Sequence, residues 1–230
     1  MIYNESPVAG TLVRKVNRFL CETLIDGKNT PAHIPNSGRL AELMIPGVKI
    51  LLSKSANPER KTAFTLRSVW HKGAWVCVDS TVPNRVAEEM ALSGAWPVFK
   101  GCVSSKREVT IGHHRFDMAL ERTGQKPMIV EVKSVTLVRD GVALFPNAPT
   151  ERGRSHLEFM TKLVGEGYDC AALFIIGRRD AVKFSPNTET DPAFAEALRQ
   201  AKKAGVQISA VTCRVGKREI TPDAAVPVEL

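Results

Sequence analysis

Three charged side chains, Asp117, Glu131 and Lys133, have the types and spacing to hold a divalent cation against a phosphodiester. Two neighbouring carboxylates repel each other unless a cation or a proton sits between them. An all-oxygen donor set suits Mg²⁺, with Mn²⁺ as the nearest alternative. Such an ion activates water and offsets charge developing on a scissile phosphate. A lysine two residues beyond Glu131 lies on the same face of an extended chain, where it could orient the attacking water or stabilise the transition state. The Glu-x-Lys spacing also occurs as an ordinary salt bridge on exposed strands, so the surrounding elements must discriminate.

The pattern around these residues reads as a β-hairpin. Lys106–Ile111, Arg115–Glu121 and Met128–Val135 are strand-like, and the last two flank a loop of turn formers, Arg122-Thr123-Gly124-Gln125-Lys126-Pro127. With Gly124 at the loop centre, Asp117 and Glu131, each seven residues away, lie opposite one another. The pleat then places Phe116, Met118, Leu120, Met128, Val130 and Val132 on one apolar face and Asp117, Glu131 and Lys133 on the other. A one-residue slip would mix carboxylates into the core face. Directly opposed residues have Cβ atoms about 5 Å apart, close enough to share one cation.

Turn formers at Asp79–Asn84 divide the chain into residues 1–82 and 83–230. The first part shows short strands, at Leu12–Cys21, Val48–Leu52, Ala63–Trp70 and Ala74–Val78, the last two joined by His71-Lys72-Gly73. About five such strands point to a small all-β barrel of the oligonucleotide-binding (OB) kind. In the second part Asn84–Ser93 reads as a helix capped by Asn84, and Ser155–Glu166 as a helix with Ser155 and Glu158 at capping-box spacing. Cys170–Ile176 is an unbroken apolar run, hence a strand buried on both faces. Asp191-Pro192 opens a helix with Phe194, Ala197, Leu198 and Ala201 on one stripe, Gly205 closes it, and Val206–Val211 supplies a last strand. The order describes an α/β domain, a mixed sheet with helices on its faces.

Composition sets the partner class. Thirty-two Lys and Arg against 24 Asp and Glu give a net charge of +8, which favours polyanions through counterion release. Basic residues on the barrel, Arg14, Arg18 and Arg39, with the nearby Asn36, are candidate phosphate contacts; ordinary solvated charge accounts equally for each. Arg152 and His156, four apart, would share a helical face if the helix begins by Glu151, with exposed N–H groups there suited to phosphate. Glu89, on the first helix, and Glu108, before the hairpin, are further candidate acids, with solvated glutamates as the plainer reading. His113 and His114 read as a hydrated pair in a turn. The five cysteines are scattered and never paired as CxxC, which argues against zinc or a disulfide framework. No apolar run approaches the length of a membrane span and Met1–Gly10 is no signal peptide, so a cytoplasmic protein without membrane contact is expected.

Several strings resemble the sugar fermentation stimulation protein A family: Pro35-Asn36-Ser37-Gly38, Asn84-Arg85, Arg115-Phe116-Asp117, Val130–Leu137, Phe145-Pro146-Asn147-Ala148, and Thr150-Glu151-Arg152-Gly153 with His156-Leu157. The resemblance runs nearly end to end. It departs at Ser37 and Arg39, where relatives often carry Thr and Ala. It implies an OB-like barrel followed by a PD-(D/E)xK restriction-endonuclease-like domain, with DNA as ligand and Arg85 among the contacts. Asp117 would match that family's first acid, and Glu131 and Lys133 its (D/E)xK pair.

The leading expectation is a DNA-binding protein with a Mg²⁺- or Mn²⁺-dependent phosphodiesterase site, RNA being the alternative polymer and a dimer an open option. Its rivals are a non-cleaving DNA-binding regulator, of sugar-metabolism genes for example, and an enzyme acting on a small phosphorylated compound.

Overall fold

In the computed structural model, which describes residues 1–3, 6–55, 57 and 59–230, the first six strands are β1 (Val8–Lys15), β2 (Leu20–Ile25), β3 (Lys28–His33), β4 (Lys49–Lys54), β5 (Phe64–His71) and β6 (Ala74–Cys77). They run in the order β3-β2-β1-β4-β5-β6, and a short parallel pairing of Ala32 and His33 with Phe64 and Thr65 closes β1–β5 into a barrel. Closure removes the open sheet edges that a small all-β unit would otherwise expose. Inward residues, among them Leu12, Cys21, Ile50, Leu52, Leu66 and Val69, form the barrel core.

The expected strand Leu12–Cys21 is two strands. Val16 N–H donates to Leu20 O at 2.9 Å and turns the chain between them. A β2–β3 hairpin also escaped the sequence reading, although Asp26-Gly27 is a strong signal: both residues have positive φ, 48° and 77°, as a two-residue hairpin turn requires.

The second unit contains α1 (Val82–Leu92), a 3₁₀ turn at Pro97–Phe99, β7 (Cys102–Ile111), β8 (His114–Arg122), β9 (Met128–Val135), β10 (Val138–Arg139), β11 (Val142–Phe145), α2 (Glu151–Gly165), β12 (Asp169–Ile176), β13 (Lys183–Pro186), α3 (Pro192–Ala204), β14 (Gln207–Val215) and β15 (Ile220–Val226). Its main sheet has the order β15-β14-β12-β9-β8-β7, with β12 parallel to both neighbours, so Cys170–Ile176 is buried throughout. Helix α1 packs Val86 and Met90 on the face carrying Met118, Leu120, Val130 and Val132. Helices α2 and α3 cover the opposite face, with Leu157, Met160, Phe194 and Leu198 against Ile129 and Phe174. The strands β10, β11 and β13 form a small separate sheet.

Helix ends explain two corrections. α2 starts a turn earlier than the Ser155 capping box suggested, because Thr150 Oγ1 accepts the Gly153 N–H. α1 begins at Val82 with a proline in its first turn, which leaves Asn84 inside the helix and not at its cap. α3 is capped as expected by Asp191, which accepts from Phe194 N, and stopped by Gly205 in the left-handed conformation.

The two units are joined by backbone contacts. Cys77 N–H at the end of β6 donates to Gly177 O, just past β12, at 2.8 Å. A Cβ on Gly177 would lie 2.6 Å from Cys77 O, so this approach requires glycine. Residues 1–3, assigned by position in the chain to the barrel, attach instead to the second unit. The Met1 amine reaches Ile220 O and Glu89, Tyr3 N–H reaches Arg218 O, and Met1 joins the core under α1.

Candidate active site

The register Met118↔Val130, Ala119↔Ile129 and Leu120↔Met128 places Asp117 beside Glu131 on the neighbouring strand. Asp117 marks a gap in the β7–β8 ladder. Pairing with β7 runs through Arg107↔Met118 and resumes at Val109↔Phe116, and Glu108 between them has φ of 54°. Alternation fails across this break: Phe116 packs under α2 while Met118 and Leu120 pack under α1. The single apolar face expected for all three is thus corrected.

Asp117 occupies the gap. Its Oδ2 accepts the Val132 N–H of β9 and its Oδ1 accepts Asn84 Nδ2 from α1, both at 2.7 Å. Burial raises the Asp117 pKa, the charge of Glu131 adds to the rise, and the Val132 N–H, Lys133 and Asn84 oppose it.

Glu131 and Lys133 project from β9 toward α2. Glu131 is 4% exposed, and its Oε1 accepts from Lys133 Nζ and His156 Nδ1, each at 2.5 Å. Since a carboxylate only accepts, His156 must carry a proton on Nδ1. Burial works to raise the Glu131 pKa, but Lys133 and His156 outweigh it and hold the carboxyl below its usual range. The other oxygen, Oε2, is buried with no hydrogen-bond partner among the described residues. An orphaned carboxylate oxygen beside a second, half-buried acid is costly in isolation. A cation held between Asp117 and Glu131 would satisfy it, so the donors fit a hard oxygen-seeking ion, with the two carboxylates as its side-chain ligands. Among the described residues no three His, Cys, Asp or Glu gather into a metal-holding group, at this site or away from it, so the two carboxylates are the donors on offer here.

Behind Glu131 lies a supporting layer that the sequence reading missed. His156 packs edge-on to His114 at 5.6 Å. His114 in turn stacks on Phe159 at 4.3 Å and meets Ser155 Oγ through Nε2 at 2.9 Å. His114 belongs to β8 and is packed, not a hydrated turn residue. Its imidazole pKa is lowered, first by burial and then by the neighbouring His156. The i, i+4 spacing from Arg152 to His156 contained the signal, but the two separate: Arg152 is exposed, whereas His156 is buried on Glu131.

The remaining candidates disperse. Glu89 pairs with the Met1 amine at 2.6 Å, and Glu108 is 65% exposed with only a 4.0 Å contact to Arg115. Neither joins the acid pair. Asn36 is buried, and its amide is engaged within the barrel, donating to Val78 O and accepting from Gly38 N. Arg14 is taken up by a two-point pair with Glu22. Arg18, Arg39 and Arg85 are exposed; Arg18 Nε is bonded to Ser37 O, and Arg85 sits beside Asn84 on α1. No helix among the described residues is long and apolar enough to cross a membrane.

Comparison with known proteins agrees with this architecture. Residues 13–78 match the family model of the SfsA N-terminal OB domain, and residues 81–219 match that of the sugar fermentation stimulation protein RE domain. A sugar fermentation stimulation protein homolog of Natranaerobius thermophilus is 42% identical over 220 residues, 94% of this chain and 92% of that protein. Another, from Methanothermobacter thermautotrophicus, is 41% identical over 204 residues, 89% and 85% of the two chains. The solved structure of Pyrococcus furiosus SfsA, in complex with Ca²⁺, superposes with a TM-score of 0.92 at 30% identity, covering 100% of this chain and 98% of that one.

Proposed function

The chain belongs to the sugar fermentation stimulation protein family, and from its site we propose that it is a divalent-metal-dependent phosphodiesterase acting on DNA. The observation that carries the reading is the partnerless Glu131 Oε2, buried beside Asp117. The Ca²⁺ in the Pyrococcus furiosus relative supports a hard divalent cation, since Ca²⁺ and Mg²⁺ both take oxygen ligands.

Asp117 and Glu131 would hold the ion, which when bound lowers the pKa of a coordinated water and offsets phosphate charge. The protein's own residues supply the rest. Asn84 and the Val132 N–H fix both oxygens of Asp117. His156 fixes Glu131 Oε1, so that Oε2 would be the oxygen left to hold the ion. Lys133 Nζ, only 2.5 Å from Glu131 Oε1, carries the cationic donor that would orient the attacking water and balance the pentacovalent phosphate. The excess of basic side chains draws the polyanion to the molecule.

The test is hydrolysis of labelled single- and double-stranded DNA in Mg²⁺ or Mn²⁺, comparing wild type with Glu131→Gln and Lys133→Ala. Metal-dependent cleavage lost in both variants is expected. Cleavage that persists in both would place the chemistry elsewhere. The Lys133–Glu131–His156 contacts also favour a second reading, a DNA-binding protein that does not cut, because they partly neutralise the acid without a metal. That reading requires DNA affinity unaffected by EDTA and by Asp117→Asn.

A further inference from the structure

Two strings that the acid–lysine site leaves unused meet across the domain junction. The Pro35–Gly38 loop of the barrel faces the Phe145–Thr150 segment that leads into α2, with a cleft of about 220 Å³ between them. Gly38 sits so close to Asn147 that a Cβ would lie 2.5 Å from its Nδ2, so the two loops are fitted to each other. The cleft walls carry Arg18, Ser37, Ser80, Ser134 and Thr136, an array of one guanidinium and four hydroxyls drawn from both units.

Both walls adjoin, in sequence, residues that hold Asp117. Ser80 lies in the turn just ahead of α1, four residues before Asn84, whose amide holds Asp117. Ser134 lies two residues past Val132, whose N–H holds the same carboxylate. The two extended residues from Val132 to Ser134 span about 7 Å. At the outer end Arg18 lines the cleft and also lies over the Phe19 ring, 5.5 Å from its centroid. Phe19 is 49% exposed and stacks at 6.5 Å on His33. It occupies the β1–β2 connection, one of the loops through which OB barrels take oligonucleotides. An exposed ring beside an arginine offers a stacking platform for an unpaired base.

We propose that this junction is a single-strand channel: a nucleic-acid strand stacks a base on Phe19, lays its sugar–phosphate backbone against Arg18 and the hydroxyl-lined cleft, and is led to Asp117. The volume is below the roughly 300–1,000 Å³ of a whole ligand pocket, which suits one stretch of backbone. A B-form duplex, whose major groove alone is about 12 Å wide, does not enter. The inference deepens the phosphodiesterase reading and rests on it for the identity of the acids. It assigns the substrate class: unpaired strands or strand ends. DNA and RNA share the chemistry that the cleft recognises.

Binding without metal separates the channel from the chemistry. Fluorescein-labelled oligo-dT, oligo-rU and a blunt duplex of equal length are titrated with the full chain in EDTA, reading anisotropy. The variants are Ser37→Trp, which fills the cleft from an exposed position, and Phe19→Ala, which removes an exposed ring; Lys202→Ala on α3 is the charge control. Melting curves establish that each variant is folded. The expected result is at least 10-fold tighter binding of a single strand than of the duplex. Ser37→Trp should lose 10-fold or more of single-strand affinity, Phe19→Ala roughly 5- to 100-fold, and Lys202→Ala less than twofold. The relative affinities of oligo-dT and oligo-rU say which polymer is preferred. The channel is overturned if the duplex binds as tightly as the single strand, or if folded Ser37→Trp and Phe19→Ala both stay within twofold of wild type. Absent hydrolysis with these binding results intact would refute the phosphodiesterase reading alone.

Discussion

Glu131→Gln isolates the charge at the centre of the site while keeping the side chain's shape. Glu131 is 5% exposed at its side chain, and its Oε1 accepts from both Lys133 and His156. The amide replaces the anionic acceptor of two hydrogen bonds with a neutral one and strips the anion from a lysine that is only 13% exposed. Removing one partner of a buried pair costs about 3–5 kcal/mol, and a bond to a charged group contributes about 1.5–3 kcal/mol. Asp117 remains close to Lys133 and glutamine keeps one acceptor, so the expected cost is at the lower end, about 2–3 kcal/mol. A domain of this size shifts its Tm by about 2–4 °C per kcal/mol, giving a fall of about 4–12 °C in EDTA by calorimetry. Mg²⁺ at tenfold excess over its Kd would stabilise wild type by about 1.4 kcal/mol and leave the variant unmoved. The pH dependence has a definite sign. Because the Glu131 carboxyl is held below its ordinary range, its contribution is complete at neutral pH and is lost as pH falls through that depressed pKa. The gap between wild type and variant therefore narrows in acid. A variant that melts within 2 °C of wild type in EDTA and keeps an undiminished Mg²⁺ shift would refute this account.

Asp117→Asn should act in the opposite direction on stability. Burial and the Glu131 charge raise the Asp117 pKa, so the ionised form is penalised in the folded state and the asparagine variant should melt higher than wild type in EDTA at neutral pH. That advantage shrinks as pH falls and wild type protonates, which urea titrations across pH 4–8 would follow. His156→Ala and Asn84→Ala each remove the group that orients one acid; metal affinity measured by isothermal titration should fall about 10- to 100-fold in each. Gly38→Ala brings a methyl against Asn147 and Asn36 and should cost about 1–3 kcal/mol, seen as a lower Tm.

Much of the site was legible because strand chemistry is local. The Gly124-centred loop, the acid opposite an acid and the lysine two residues on could be read from the hairpin alone, and the register confirms that neighbourhood. What the pleat could not reveal is that the β7–β8 pairing lapses at Asp117, with Phe116 turned to the opposite core and Asp117 reaching both β9 and α1. Asn84 illustrates the same limit. Its type suits a helix cap, but a helix that begins at Val82 turns its amide to a residue 33 positions away. His156 looked like a surface partner of Arg152 because spacing reports helical faces, not which face is buried. The missed β2–β3 hairpin was different: Asp26-Gly27 stated it plainly, and the polar, proline-bearing β3 masked it. Exposed arginines remained indistinct for a physical reason, since solvated charge and phosphate contact demand the same residue types.

The Cys77–Gly177 contact bears on how this pair of modules could be re-engineered. A main-chain amide of one half is spent on a carbonyl of the other, across a gap too narrow for any methyl. Grafting a foreign barrel onto the second unit would therefore demand matched backbone trajectories, not merely a compatible linker. Chimeras assembled by cutting at the intervening turn should emerge misaligned unless the donor ends its last strand in the same place.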